Sequence, residues 1–194
     1  MAIIHQAQLT PSKAEMLEVF LRSRPWGEGG EIEILGAYRF DDPAGEVGVE
    51  CHLARVGENL YHLPLTYRDA PLEGAEDALV GTMEHSVLGT RYVYDGLADE
   101  VALDCFARAL CAEQSQAELA IVDEGGAEIA RRPQSVRLDL VIDEGATAPE
   151  FTRLLDGEPF TIARTVEGLD GTVRLVASWP GGRGVIAAYD PAIG

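Results

Sequence analysis

The chain has 194 residues and an apolar content of 46%, which suits one moderate domain, or two small packed ones, with a core that needs no staples. A formal charge of −18 at pH 7 repels phosphate backbones and anionic lipid surfaces and argues against nucleic acid or membrane partners. No apolar run approaches the roughly eighteen residues of a membrane span, and the opening Met1-Ala-Ile-Ile-His has neither a basic start nor a long apolar stretch, so the expected location is the cytoplasm.

Three cysteines, Cys51, Cys105 and Cys111, stand at no metal-ligand spacing and read as reduced, buried thiols. Lys13 is the only lysine, against fourteen arginines, and Asn59 is the only asparagine. That usage fits a GC-rich genome.

In chain order, residues 2–9 read as a short strand. Thr10-Pro11 then looks like a helix start, with Thr10 as N-cap and Pro11 in the first turn. Met16, Leu17, Phe20 and Leu21 recur at helical spacing, which predicts a helix over 11–23 with one buried stripe. From Ile32 the period changes to two. Three alternating runs follow, around Ile32–Phe40, Val47–Leu53 and Tyr61–Tyr67, with turn residues between them. They predict an antiparallel meander, and Pro64 marks the third run as an edge strand or a bulge.

Residues 69–78 are loop-like, and 79–88 and 90–95 read as two more strands around Gly89. Asp99 is placed to cap a helix from about Glu100 to Ala112. The last third is strand-rich, with runs at 118–122, 136–142, 160–166, 172–179 and 184–189. Acidic turn residues stand at Asp123-Glu-Gly-Gly and Asp143-Glu-Gly, and Pro180-Gly-Gly-Arg-Gly184 suits a hairpin loop. The expected fold class is α+β with mostly antiparallel sheet, and a soft boundary falls near residue 115.

Chemistry is sparse in this pattern. A metal site would draw on Glu50 and His52, which share a strand face, with His62 on the next strand; packing as polar sheet residues is the stronger reading. Ser86 follows His85 without the glycines of a nucleophile elbow. No phosphate-binding Gly-rich loop with its lysine occurs, and no His-x-Asp loop follows His85, so a self-sufficient kinase of the common type is not expected. Neither metal nor cofactor is expected.

Two motifs look familiar. Tyr61-His-Leu-Pro-Leu-Thr-Tyr-Arg68 ends a strand in a Pro-Leu-x-Tyr-Arg pattern. His85-Ser-Val-Leu-Gly-Thr-Arg-Tyr-Val-Tyr-Asp-Gly96 runs into the helix start at Asp99. Together they resemble the maltokinase N-terminal cap domain family of actinobacteria, over roughly residues 1–112. The resemblance implies a cystatin-like sheet curving over a helix, with a β-rich extension at 113–194. In that family the cap precedes kinase lobes, which nothing after residue 115 supplies. The resemblance therefore implies a non-catalytic accessory protein linked to α-glucan or sugar-phosphate metabolism, with a sugar kinase or glucan-pathway protein as partner.

Two other functions compete. In one, a small ligand or carbohydrate binds among Tyr67, Arg68, His85, Arg91, Tyr92, Tyr94 and Trp179, which could stack and hydrogen-bond a sugar. In the other, His85 acts with Asp95 or Glu84 in a hydrolase or isomerase. The ligand, the partner and the oligomeric state are not legible in the sequence.

Overall fold

A computed structural model describes residues 2–4, 7–122 and 128–191. Among them the order is β1 (Ala2–Ile4), β2 (Leu9–Thr10), α1 (Lys13–Ser23), β3 (Glu33–Phe40), β4 (Gly48–Val56), β5 (Asn59–Arg68), β6 (Leu79–His85), β7 (Gly89–Asp95) and α2 (Glu100–Leu110). There follow β8 (Leu119–Val122), β9 (Glu128–Arg132), β10 (Arg137–Ile142), α3 (Phe151–Leu155), β11 (Thr161–Ile162), β12 (Val173–Trp179) and β13 (Gly182–Tyr189). The class is α+β with mostly antiparallel sheet, as the alternating runs imply. No described helix is long and apolar enough to cross a membrane.

The centre is a six-stranded sheet in the order β2-β6-β7-β5-β4-β3, antiparallel throughout. Strand alternation gives it two apolar faces. One carries Ala54, Val56, Tyr61, Leu63, Leu65 and Val93, and α1 covers it with Met16, Leu17, Phe20 and Leu21. The other carries Tyr38, Phe40, Val49, Cys51 and Leu53, and it is covered by α2 and by a second sheet ordered β10-β12-β13-β11. The sheet is thus a middle layer, and its second core draws on residues from both ends of the chain. A third, small sheet joins β1 in parallel to β8, with β9 beyond.

Several local expectations need correction. The N-cap of α1 is Ser12, not Thr10, and Pro11 lies outside the helix. Ser12 Oγ accepts the Glu15 N–H at 3.3 Å, and the Glu15 carboxylate takes the Ser12 N–H at 2.8 Å. That reciprocal box satisfies two helix-end donors, which Thr10 could not reach.

β5 is not an edge strand, since β4 and β7 flank it. Pro64 is tolerated because its side of the strand is interrupted there. β7 pairs with Leu65–Arg68, while three residues upstream the bridge is Tyr61 to Thr165. His62, two residues earlier on the same side, donates its N–H to Arg164 O at 2.8 Å. The missing donor of Pro64 faces the gap, against Gly96, whose added Cβ would meet Pro64 at 3.1 Å.

The strand expected over 160–166 shortens to β11, and residues 164–166 instead lie along β5. The strand expected over 79–88 ends at His85, where the turn to β7 begins. The stretch expected as one strand over 2–9 contains β1 and leads into β2, with residues 5 and 6 outside the described ones. The turn at 123–126 also lies outside them. β9 and the short α3 were not expected.

Candidate functional site

The register divides the candidate ligand residues between two faces of the sheet. Arg68 pairs with Tyr92, and Thr66 with Tyr94, so Arg68, Tyr92 and Tyr94 share the α2 face. Tyr67 pairs with Val93, and Met83 with Arg91, so Tyr67 and Arg91 lie on the α1 face. His85 sits at the hairpin end. Trp179 belongs to the other sheet, where its ring lies over Gly182; a Cβ there would meet it at 2.7 Å. The structure brings Arg68, Tyr92 and Tyr94 to one face and places the other four away from them.

Most of these side chains serve the fold. Arg68 grips Asp99 with two bonds, Nε to Oδ2 at 2.7 Å and Nη2 to Oδ1 at 2.8 Å. Asp99 also accepts from Thr66 Oγ1 and from the Val101 N–H it caps, at 2.7 and 3.0 Å. Burial would raise this carboxyl, but Arg68, Thr66 and the Val101 amide hold it below its usual range. The Tyr94 hydroxyl accepts the Leu72 N–H at 2.8 Å.

His85 Nδ1 accepts the N–H groups of Val87 and Leu88 at 3.2 and 3.1 Å, and Arg91 donates to Leu88 O at 2.7 Å. Both therefore shape the hairpin turn. Asp95 lies at the far end of β7, about 20 Å from His85 at 3.3 Å per residue, where it is paired with Arg164. Glu84 takes the Thr90 hydroxyl at 2.8 Å. His85 and Asp95 do not converge.

The densest ionic cluster lies under the N-terminus of α1. Glu50, 6% exposed, receives Lys13 Nζ on both oxygens, at 2.7 Å on Oε1. Arg39 Nε reaches Oε1 at 3.1 Å, and His52 Nε2 stands 3.4 Å from Oε2. Burial opposes the charge, yet His52, Lys13 and Arg39 hold the carboxyl well below its usual range. The same negative charge, after burial itself, pushes the Tyr67 phenol well up. A carboxylate so occupied is a poor proton acceptor near neutral pH.

His62 does not join this cluster, because it points to the opposite face. There it stacks beside Tyr38, takes the Tyr38 hydroxyl on Nε2 at 2.7 Å, and donates from Nδ1 to Ala163 O at 2.9 Å. Burial, first of all, lowers its pKa to about 4. The metal trio of Glu50, His52 and His62 is thereby split, and no group of three metal-ligating side chains occurs among the described residues. Burial likewise pushes the Cys105 thiol up to about 12 and the Cys111 thiol to about 11. These thiols are not poised as nucleophiles.

Two adjoining hollows lie outside what the sequence suggests. A groove of about 410 Å³ runs between the end of α2 and β10, with Phe40, Ala109, Leu138, Leu140 and Leu175 in its lining. A second hollow of about 610 Å³ adjoins it, and both share residues 113–116 as a wall. The available sequence signal was composition. Three of the five glutamines, Gln114, Gln116 and Gln134, stand at this seam. Each carboxamide bonds backbone, Gln114 to Asp41 O at 2.8 Å and Gln134 to the Arg39 N–H at 2.6 Å, for example.

Comparison with known proteins adds one finding. Residues 20–99 match the family model of the maltokinase N-terminal cap domain. The matched stretch runs from the last turn of α1 through all of β3–β7 to Asp99, and covers less than half of the chain. No curated protein and no solved structure matches.

Proposed function

We propose that this protein is a non-catalytic accessory module, similar in its first half to a maltokinase cap, which acts by contact with a separate sugar kinase or glucan-pathway enzyme in the cytoplasm. The observation that carries the reading is the condition of its charged groups. The only lysine is clamped on Glu50, and Arg68 and Arg164 are committed to Asp99 and Asp95. These pairs join sheet to helix and one half of the chain to the other. A kinase would need its cations free to meet nucleotide phosphates.

A sugar-binding role has less support. Arg68 and Tyr94, two of the three candidates that share a face, already have partners within the fold. Thermal-shift screening with maltose, trehalose and their phosphates measures that rival reading, which requires a rise in melting temperature at millimolar ligand. The accessory reading expects no rise. It also expects no ATP hydrolysis and no phosphorylation of maltose by the purified protein, and measurable turnover of either would sink it.

A further inference from the structure

Two sheet margins meet at the seam between the halves, and side chains close part of each. On β3, the Ala37 N–H donates to Ser135 Oγ at 2.8 Å, the Arg39 N–H donates to Gln134, and Arg39 O accepts from the Ala117 N–H at 2.8 Å. On β10, Gln116 donates from Nε2 to Val136 O at 3.0 Å and accepts the Leu138 N–H on Oε1. The Gln116 carboxamide stands where a peptide group of one more strand would stand.

It covers only the start of that margin. β10 pairs antiparallel with β12 alone, and Leu138 turns its N–H away from β12. Alternation then turns the N–H and C=O groups of Leu140 and Ile142 outward as well. Among the described residues nothing takes them. This open length borders the apolar groove, which Leu138 and Leu140 both line. An unpaired edge beside an apolar trough is a template for an added strand.

We propose that the β10 edge is the docking site for an extended, basic segment of a partner protein, added as a further strand with its alternate apolar side chains in the groove. The choice of occupant follows from charge. A second copy of this chain would bring another −18; Glu113 lines the groove, and Asp41 and Glu118, the latter paired with Arg131, line the adjoining hollow. The one cation lining either hollow among the described residues, Arg108, is already held by Asp104 and Glu113. Repulsion works against self-pairing and favours a segment that alternates leucine-like with arginine-like residues. The proposal rests on the accessory-module reading and supplies its contact surface.

The test uses the full chain and a fluorescent peptide of alternating leucine and arginine, followed by anisotropy. Two further peptides carry N-methyl groups on one or the other alternate set of backbone amides. Only one set faces the β10 edge. The expected result is binding by the parent, at least tenfold loss for one methylated peptide, and little loss for the other. Leu140→Gln, which leaves the charge unaltered, should weaken the parent at least tenfold, with Leu138→Gln as the second variant should the first fail to fold.

No binding at millimolar peptide overturns the proposal. So do equal affinities for both methylated peptides, or unchanged binding by the folded variants, which would reveal attraction to charge alone. Failure here leaves the kinase and ATPase assays of the accessory reading unaffected, and turnover in those assays leaves this edge unaffected. The two can therefore fail separately.

Discussion

Glu50 shows how one buried charge sets the character of this protein. Its carboxylate is taken from water and recovers by holding Lys13 and Arg39 against it, so removing the negative charge strands two cations beside an apolar layer. Glu50→Gln should cost about 3 kcal/mol in denaturant unfolding, whereas Lys13→Met, at the more exposed end of the pair, should cost under about 1 kcal/mol. His62 makes the second residue-scale prediction. Its folded pKa of about 4 lies below the ordinary histidine value of 6.5, so the unfolded chain takes up a proton that the folded chain refuses. Stability should be fully present above pH 6.5 and fall as the pH drops towards 4, by up to roughly 3 kcal/mol. His62→Gln should remove that slope while leaving the acid limb at lower pH, where Glu50 and Asp99 protonate. Unchanged acid sensitivity between pH 6.5 and 4 would contradict this account of the His62 contacts.

Among the elements, the end of α2 carries an avoidable cost. The Glu113 N–H reaches Arg108 O and the Ala112 N–H reaches Ala109 O, which is the double bond pattern of a glycine-terminated helix. Yet the residue in the left-handed conformation is Ala112, at φ 61°. Ala112→Gly should therefore stabilise the fold by about 1 kcal/mol, read as a higher denaturation midpoint with an unchanged slope. The elements themselves were largely legible in the sequence, because alternation at Tyr38 and Phe40 and helical spacing at Met16, Phe20 and Leu21 reflect burial directly, whereas Ile34, beyond a shift in register, is exposed. The Ser12–Glu15 box was present too, but Thr10-Pro11 offered a rival start that only geometry separates. What alternation cannot supply is which face belongs to which cover. That is why His52 and His62 looked like neighbours, and why Arg68 and Arg91 looked like one site.

For the whole molecule, the feature least visible in the sequence is the joint between its halves. Local pattern carries no information about Gln134 closing the edge of β3, about Ala163 receiving His62, or about residues 164–166 lying along β5, because the partners are about a hundred residues apart. Tyr38, Leu53 and Phe106 from the first part share one core with Val173, Leu175 and Ile186 from the last. The intact chain should accordingly unfold in a single transition seen alike by near- and far-UV circular dichroism. A fragment of residues 1–112 should bind a hydrophobic dye and melt without cooperativity, since it keeps α2 but loses the β10–β13 sheet that covers the rest of that face. Two separate transitions in the intact chain would contradict the shared core.

The proposed contact role rests on Lys13, Arg68 and Arg164 being held in such joints and on the open β10 edge at the seam. The most direct measurement is ADP release by the purified chain with ATP and maltose, alone and then mixed with a separate sugar kinase. The account predicts no release above background from the chain alone, and altered kinase kinetics in the mixture. Sustained release by the chain alone, abolished by substituting Lys13, would contradict it.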